Sequence, residues 1–324
     1  MTARDQRPHI LQAGPLMPYL EERLNARFSV TRLTDLPERA GHLAATGHDY
    51  TAIVTSTFLG LKPEILDSCP NVRLVASFGV GTDSLPVDHA TKRGVLVTNT
   101  PDVLNDDTAT MAIALLLACT RNIVANDRYV RAGEWRLRGD PPLGRSLRGK
   151  QVGMVGLGRI GLEIARQLEV FGCEIAYHTR TPRPDLPYRH EADLETLARM
   201  SAALIAIVPG GPATHHLIGA RILDALGPEG VFINVARGSV VDQDAMIAAL
   251  RDGRLGHAGL DVYDDEPNVP DTLAALPNVV LQPHQASATR ETREAMADLV
   301  LANLDRFFAD RTVVTPVVPA TRTS

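Results

Sequence analysis

Short apolar runs alternate with amphipathic stretches along almost the whole chain, and this alternation restricts the fold more than any other feature. A run of roughly four to eight apolar residues between turn formers suits a strand buried on both faces, and amphipathic stretches between such runs suit crossover helices. The pattern therefore predicts parallel sheets covered by helices, an α/β protein. The first set of runs is 9–14 (HILQAG), 28–33 (FSVTRL), 51–57 (TAIVTST), 73–79 (RLVASFG) and 95–99 (VLVTN), enough for one five-stranded open sheet. The second is 151–156 (QVGMVG), 174–179 (EIAYHT), 203–208 (ALIAIV), 231–236 (VFINVA), 257–262 (HAGLDV) and 279–284 (VVLQPH), enough for a sheet of six. Between the sets, Leu104 to Asn122 is continuous enough in apolar residues to be a helix buried on most sides, linking two domains. Thr289 to Phe308 predicts a last helix that returns to the first domain, after which the Pro- and Thr-rich tail beyond Asp310 is expected to run irregularly. The expected domains are 1–99, 100–288 and a returning 289–324, with crossings near Thr100 and Ala288; 324 residues is long for a single core.

Composition removes several classes of function. Hydrophobic content of 44% and charged content of 22% are ordinary for a globular chain, and a net charge of −5 without a basic cluster argues against a nucleic-acid partner. The N-terminal stretch MTARDQRPHILQAG holds no run long enough for a signal peptide, and Ala109 to Cys119 is too short to span a bilayer. A cytoplasmic protein without a membrane partner is the expectation. Cys69, Cys119 and Cys173 lie far apart and in no metal-ligand spacing, so they read as reduced thiols.

The segment 151–172, QVGMVGLGRIGLEIARQLEVFG, sets Gly156, Gly158 and Gly161 in G-x-G-x-x-G spacing directly after a strand-like run and at the start of an amphipathic helix. Gly156 permits the tight turn, Gly158 lets a pyrophosphate approach the backbone, and Gly161 lets helix and strand pack closely. The helix N-terminus adds N–H donors and a partial positive charge. With Leu157, Arg159 and Ile160 completing it, this loop predicts dinucleotide binding. An acidic residue at the end of the next strand ordinarily receives the ribose 2′-hydroxyl of NAD. Here that strand runs out in Tyr177-His178-Thr179-Arg180-Thr181, with no carboxylate. Arg180, flanked by the hydroxyls of Thr179 and Thr181 and followed by Arg183, suits a 2′-phosphate, because guanidinium binds phosphate through charge-assisted hydrogen bonds. NADP(H) is therefore the expected cofactor, with NAD(H) admitted if Asp185 or Glu191 folds back to the ribose.

Three further segments stand at strand ends: 234–242 (NVARGSVVD), 260–267 (LDVYDDEP) and 282–287 (QPHQAS). Open α/β sheets place their ligands there, which makes Arg237, Glu266 and His284 the candidates for chemistry. Together with the glycine loop and with 77–84 (SFGVGTDS), 99–109 (NTPDVLNDDTA) and 133–135 (GEW), these segments resemble the D-isomer-specific 2-hydroxyacid dehydrogenases, in the branch of glyoxylate and hydroxypyruvate reductases. The resemblance implies two Rossmann-like domains with parallel sheets, the cofactor domain inserted in a flavodoxin-like substrate domain and the substrate between them. It implies reduction of a small 2-oxo acid to the 2-hydroxy acid, in the D form where chiral. Such a reaction needs a cation for the carboxylate and carbonyl oxygen, a proton donor at that oxygen and a hydride at the carbon. Arg237 is the cation and His284 the acid, while Glu266 would bond the other ring nitrogen, fix the tautomer and sustain the imidazolium near neutral pH. The resemblance further implies that backbone N–H groups of Val80 and Gly81 hold the substrate carboxylate and that Asp261 binds the nicotinamide carboxamide. Arg159 and Ile160 would sit beside the pyrophosphate, Val208 and Val235 would line the cofactor, and the chain would form a homodimer, with 104–122 and Trp135 as a subunit contact.

Two positions depart from the family pattern. Thr110 stands where many relatives carry Glu, and Gln285 follows the catalytic His where a small or apolar residue is common; the latter bears on substrate preference rather than on the reaction. His215 and His216 are adjacent and share no helix face, so they read as a polar loop, and no metal site is expected. The alternatives are a sugar-derived 2-oxo acid such as 2-oxogluconate, 3-phosphoglycerate or formate. A phosphorylated substrate would want a basic cluster near Val80, where there are mainly Arg73 and Lys92 and no cluster. A nicotinamide-sensing binding protein is a further alternative, but it could dispense with the acid–base pair that this chain retains.

Overall fold

The computed structural model describes residues 7–317; residues 1–6 and 318–324, which include the end of the expected irregular tail, lie outside the described residues. The chain forms two compact units, one running to Leu104 and resuming at Thr289, the other spanning Asn105–Ala288.

In the first unit, β1 (His9–Gln12), β2 (Ser29–Arg32), β3 (Ala52–Ser56), β4 (Leu74–Phe78) and β5 (Leu96–Thr98) form a sheet in the order β2-β1-β3-β4-β5. Every pair is parallel, which is the flavodoxin-like winding. β3 and β4 are buried at each residue, as strands covered on both faces must be. The crossover helices Pro18–Arg27 and Pro63–Asp67 open on proline, whose fixed φ and missing N–H suit a first turn.

The returning helix is Arg290–Asp310, capped by Thr289, whose hydroxyl accepts the Thr292 N–H at 3.2 Å. It packs on β4 and on the helix Pro18–Arg27, where the tilted rings of Phe28 and Phe308 meet at 5.4 Å between centroids and Arg27 pairs with Asp305. Among the described residues, the tail beyond it (311–317) keeps no helix, yet it is tied down. Buried Asn303 accepts the N–H groups of Val314 and Thr315 at 2.9 and 3.0 Å, and the Val317 N–H donates to Val97 O at 2.8 Å.

In the second unit, the strands are β6 (Gln151–Val155), β7 (Glu174–His178), β8 (Arg189–His190), β9 (Ala203–Ala206), β10 (Val231–Asn234), β11 (His257–Leu260) and β12 (Val279–Leu281). They form an all-parallel sheet in the order β12-β11-β10-β9-β6-β7-β8. Six were expected; the seventh, β8, is a two-residue polar edge strand with no apolar run to signal it. Side chains alternate between two cores: Ala203 and Ile205 enter one, Leu204 and Ala206 the other.

The apolar segment after residue 104 is the helix Asn105–Thr120, which lies wholly inside this unit against the helix Arg159–Val170 and β11. A Cβ on Gly259 would stand 3.0 Å from Leu115 Cβ and 2.8 Å from Ile233 Cδ1, so the missing side chain is what lets the helix sit this close. The border between the units falls at Leu104, and residues 99–100 are bonded to the turn after β4. Thr100 N–H donates to Gly79 O at 2.9 Å and Asn99 Nδ2 to Val80 O at 2.8 Å. Among the described residues no single helix is long and apolar enough to cross a membrane. The cysteines are free thiols, and burial pushes Cys69 up to about 11 and Cys119 to about 12.

Candidate active site

The glycine loop leaves β6 through Gly156 at φ +99°, where a Cβ would lie 2.6 Å from Ile207 O. Only glycine serves there. A Cβ on Gly161 would stand 2.8 Å from Gly156 O, so the third glycine closes the helix onto the loop. Gly158 differs: a Cβ there would meet nothing within 4 Å, so the space over it is open. Gly158 is also the N-cap of the helix Arg159–Val170, with no side-chain cap on the first-turn N–H groups. An open face above an uncapped helix N-terminus fits a pyrophosphate. Buried Leu157 anchors the loop, exposed Arg159 and half-buried Ile160 open the helix, and half-buried Val208 lies against the Gly156 turn. Val235, buried, continues β10 with its N–H on Ala206 O at 3.3 Å.

Beyond β7 the loop carries Thr179, Arg180 and Thr181. Thr179 Oγ1 donates to Thr181 O at 2.7 Å, which shapes the turn, and Arg180 is exposed at its tip. The two carboxylates that could have served a ribose hydroxyl are engaged elsewhere. Asp185 takes a bidentate pair from Arg183 at 2.8 and 3.0 Å, and Glu191 pairs with Arg189 at 3.2 Å.

The three loops at the ends of β10, β11 and β12 are locked together. His284 Nδ1 and Glu266 Oε2 are 2.7 Å apart, and the Tyr263 N–H donates to Glu266 Oε1 at 3.0 Å. Burial raises the Glu266 carboxyl, but the bond and charge of His284, the Tyr263 N–H and the nearby Arg237 guanidinium outweigh it and hold the group below the usual glutamate range. A carboxylate only accepts, so Nδ1 carries a proton and proton transfer falls to Nε2. His284 itself sits at φ +54°, a conformation that costs about 1–3 kcal/mol and persists only where the surroundings impose it.

Asp261 imposes it. Its carbonyl accepts the His284 N–H at 2.8 Å, and its carboxylate accepts those of Gln285 and Ala286 at 2.7 and 3.0 Å. Asp261, to which the resemblance assigns the carboxamide, is 1% exposed and spends both carboxylate oxygens on this turn. Burial raises its carboxyl, while the two N–H groups pull the other way. Tyr263, raised to about 12 by burial, stays a phenol and donates to Gln282 O at 2.9 Å.

Arg237 is set by two residues that sequence reasoning passed over. Asn234, fully buried, donates from Nδ2 to Arg237 O at 2.9 Å and accepts the Ala236 N–H at 3.0 Å. Gly238 lies so close to the next loop that a Cβ would stand 2.0 Å from Tyr263 C. The signal for both lay in NVARGSVVD, where a polar residue ends an apolar strand and a glycine follows the arginine. His215 and His216 belong to a loop held against this one, with the His216 N–H on Ser239 O at 2.8 Å.

Val80 and Gly81 belong to the first unit, in the turn after β4. Asn99 holds the Val80 carbonyl, and the N–H groups of Val80 and Gly81 donate to no group among the described residues. The structure therefore gathers Arg237, Glu266, His284 and the glycine loop within the second unit and places the Val80 turn in the first.

A parallel sheet with an open, uncapped glycine loop at β6, and an arginine beside a histidine–carboxylate pair at β10–β12, define a nicotinamide-dependent oxidoreductase. Comparison with known proteins specifies it further. The sequence profile described as "D-isomer specific 2-hydroxyacid dehydrogenase, NAD binding domain" matches residues 113–286. The chain is 44% identical over 309 residues to hydroxyphenylpyruvate reductase of Plectranthus scutellarioides, covering 95% of this chain and 98% of that one. It is 44% identical over 312 residues to 2-ketogluconate reductase of Gluconobacter oxydans, covering 96% and 99%. Among solved structures, the NADPH-dependent glyoxylate/hydroxypyruvate reductase of Sinorhizobium meliloti, in complex with NADP and malonate, superposes with a TM-score of 0.90 at 46% identity over 96% of this chain and 97% of that one. The chain belongs to the D-isomer specific 2-hydroxyacid dehydrogenase family.

Proposed function

We propose that this enzyme reduces glyoxylate or hydroxypyruvate to the corresponding 2-hydroxy acid, with NADPH as the preferred donor. The observation that carries the reading is the 2.7 Å contact between His284 and Glu266 beside Arg237. The bound nicotinamide supplies a hydride to the carbonyl carbon. Arg237 holds the substrate carboxylate and carbonyl oxygen, and the N–H groups of Val80 and Gly81 bind the carboxylate. His284 passes its Nε2 proton to the carbonyl oxygen as negative charge develops there, and Glu266 stabilises the imidazolium before transfer. Oxidation runs the same groups in reverse, with neutral His284 as base.

Gly156, Leu157, Gly158, Arg159, Ile160 and Gly161 hold the pyrophosphate, Val208 and Val235 line the cofactor, and Thr179, Arg180 and Thr181 take the 2′-phosphate. Support for NADPH is the exposed Arg180 together with the engagement of Asp185 and Glu191 by arginines. The likeness to a 2-ketogluconate reductase supports a second reading in which a sugar-derived 2-oxo acid is the substrate, with the exposed Gln285 amide beside His284 as a further polar contact. A steady-state screen of glyoxylate, hydroxypyruvate, pyruvate and 2-oxogluconate, each with NADPH and NADH, tests both. High kcat/KM for one of the first two with NADPH is expected; inert glyoxylate and hydroxypyruvate beside rapid 2-oxogluconate turnover refutes the first reading. We further propose a homodimer, because Ile123, Val130, Trp135, Leu137 and Leu143 leave exposed apolar surface on one continuous segment. Light scattering coupled to gel filtration should return twice the chain mass.

A further inference from the structure

The loop after β7 carries two arginines in different circumstances. Arg180 is exposed and makes no ion pair or hydrogen bond among the described residues. Arg183 is held from four directions. Nε and Nη2 donate to the two oxygens of Asp185 at 3.0 and 2.8 Å, Nη1 reaches Leu157 O of the glycine loop at 3.4 Å, and its backbone N–H donates to Tyr177 Oη at 2.7 Å. Its guanidinium thus bridges the loop expected to meet the 2′-substituent and the loop expected to meet the pyrophosphate, with its charge already answered. The bond from Arg183 holds the Asp185 carboxyl below its ordinary range, so the partner is ionised throughout the neutral range. Both side chains remain partly exposed, at 43% and 58%, and such a pair is screened and exchanges partners readily.

We propose that Asp185 is a specificity-determining residue for the cofactor, setting the ratio of NADPH to NADH affinity by withholding Arg183 from the 2′-phosphate. This rests on the reading of Arg180 given above and goes beyond it. Arg180 meets the phosphate alone, and the enzyme retains NADH because the second cation of the loop is occupied. A 2′-phosphate gains the second guanidinium only by drawing it off a carboxylate, whereas a 2′-hydroxyl requires neither arginine. The acidic residue that ordinarily serves the ribose has a counterpart here, displaced along the chain and turned onto an arginine.

Calorimetric titration of the apoenzyme with NADPH, NADH and 2′,5′-ADP tests the inference in wild type, Asp185→Asn, the double variant Asp185→Asn/Arg183→Gln, and Arg180→Ala. Asp185→Asn is expected to tighten NADPH and 2′,5′-ADP about three- to tenfold relative to NADH, with the gain shrinking at high salt. The double variant removes the pair with no net change of charge and is expected to return the ratio close to wild type. A ratio unmoved by Asp185→Asn overturns the inference, as does a gain that survives undiminished in the double variant. If Arg180→Ala abolishes NADPH preference while Asp185→Asn changes nothing, only this inference fails. If Arg180→Ala leaves the preference intact, the cofactor reading fails and takes this inference with it.

Discussion

The two sides of the second sheet are held in place by different physics. At β10–β12 the functional groups are fixed by buried or half-buried partners: Asn234 and Gly238 under Arg237, Asp261 under the His284 turn, and Tyr263 on both Glu266 and Gln282. At β6–β7 the cofactor loop is arranged by exposed ion pairs, Arg183 with Asp185 and Arg189 with Glu191. Buried charge-assisted bonds are strong and geometrically exacting, whereas exposed pairs are weak and exchangeable. On the proposed reading, reaction geometry is built where substitution is costly, and cofactor choice where it is cheap.

Variants on the two sides should separate accordingly. His284→Ala should lower kcat by about 10²- to 10⁴-fold, the range of a lost general acid, while NADPH binding measured by titration stays near wild type. Loss of binding in parallel would mean that the two sides are not independent. Next in size, Arg180→Ala should weaken NADPH about ten- to hundredfold with little change for NADH, as expected for one charge-assisted contact; equal weakening of both cofactors would break the assignment. Gly238→Ala forces a Cβ into Tyr263 and should cost about 1–3 kcal/mol or more of stability in denaturant melts, with a fall in kcat as Arg237 moves. A variant as stable and active as wild type would show that the Arg237 loop is not held by this contact.

The smallest effect is on acid stability. Glu266 has a folded value below its ordinary 4.5, so its contribution is present above 4.5 and is lost as pH falls through the folded value. Glu266→Gln should therefore flatten the acid-side decline of the melting temperature only below about pH 4.5. A decline identical in the two proteins would remove the ion pair from the account.

Much of this was legible in the chain. Nine of the eleven expected strands were apolar runs such as 51–57 and 231–236, for which burial in a parallel sheet leaves little alternative, and the other two, FSVTRL and VVLQPH, became the half-buried edge strands β2 and β12. Gly156, Gly158 and Gly161 were visible through their spacing alone, directly after a strand-like run and at the head of an amphipathic helix. What stayed hidden depends on contacts distant in sequence. β8 is strand only because Tyr177 lies beside it, Asn303 reveals itself only where the tail returns, and Gly238 matters because Tyr263 approaches it. Asp261 was visible as a residue but not as the support of the His284 turn, since a carboxylate binding the N–H groups of 285 and 286 leaves no mark in either segment alone.

The central claim is that His284, sustained by Glu266, donates the proton. The pH dependence of kcat/KM for glyoxylate reduction with NADPH, in wild type and Glu266→Gln, tests it most directly. Reduction needs the imidazolium, and Gln keeps the shape of the partner while removing the charge that stabilises it. The alkaline limit of reduction should therefore move to lower pH in Glu266→Gln, with the alkaline-favoured limb of hydroxy-acid oxidation shifting in the same direction. Coincident alkaline limits in the two proteins, together with substantial turnover by His284→Ala, would contradict the account and leave Arg237 with a bound water as the proton source.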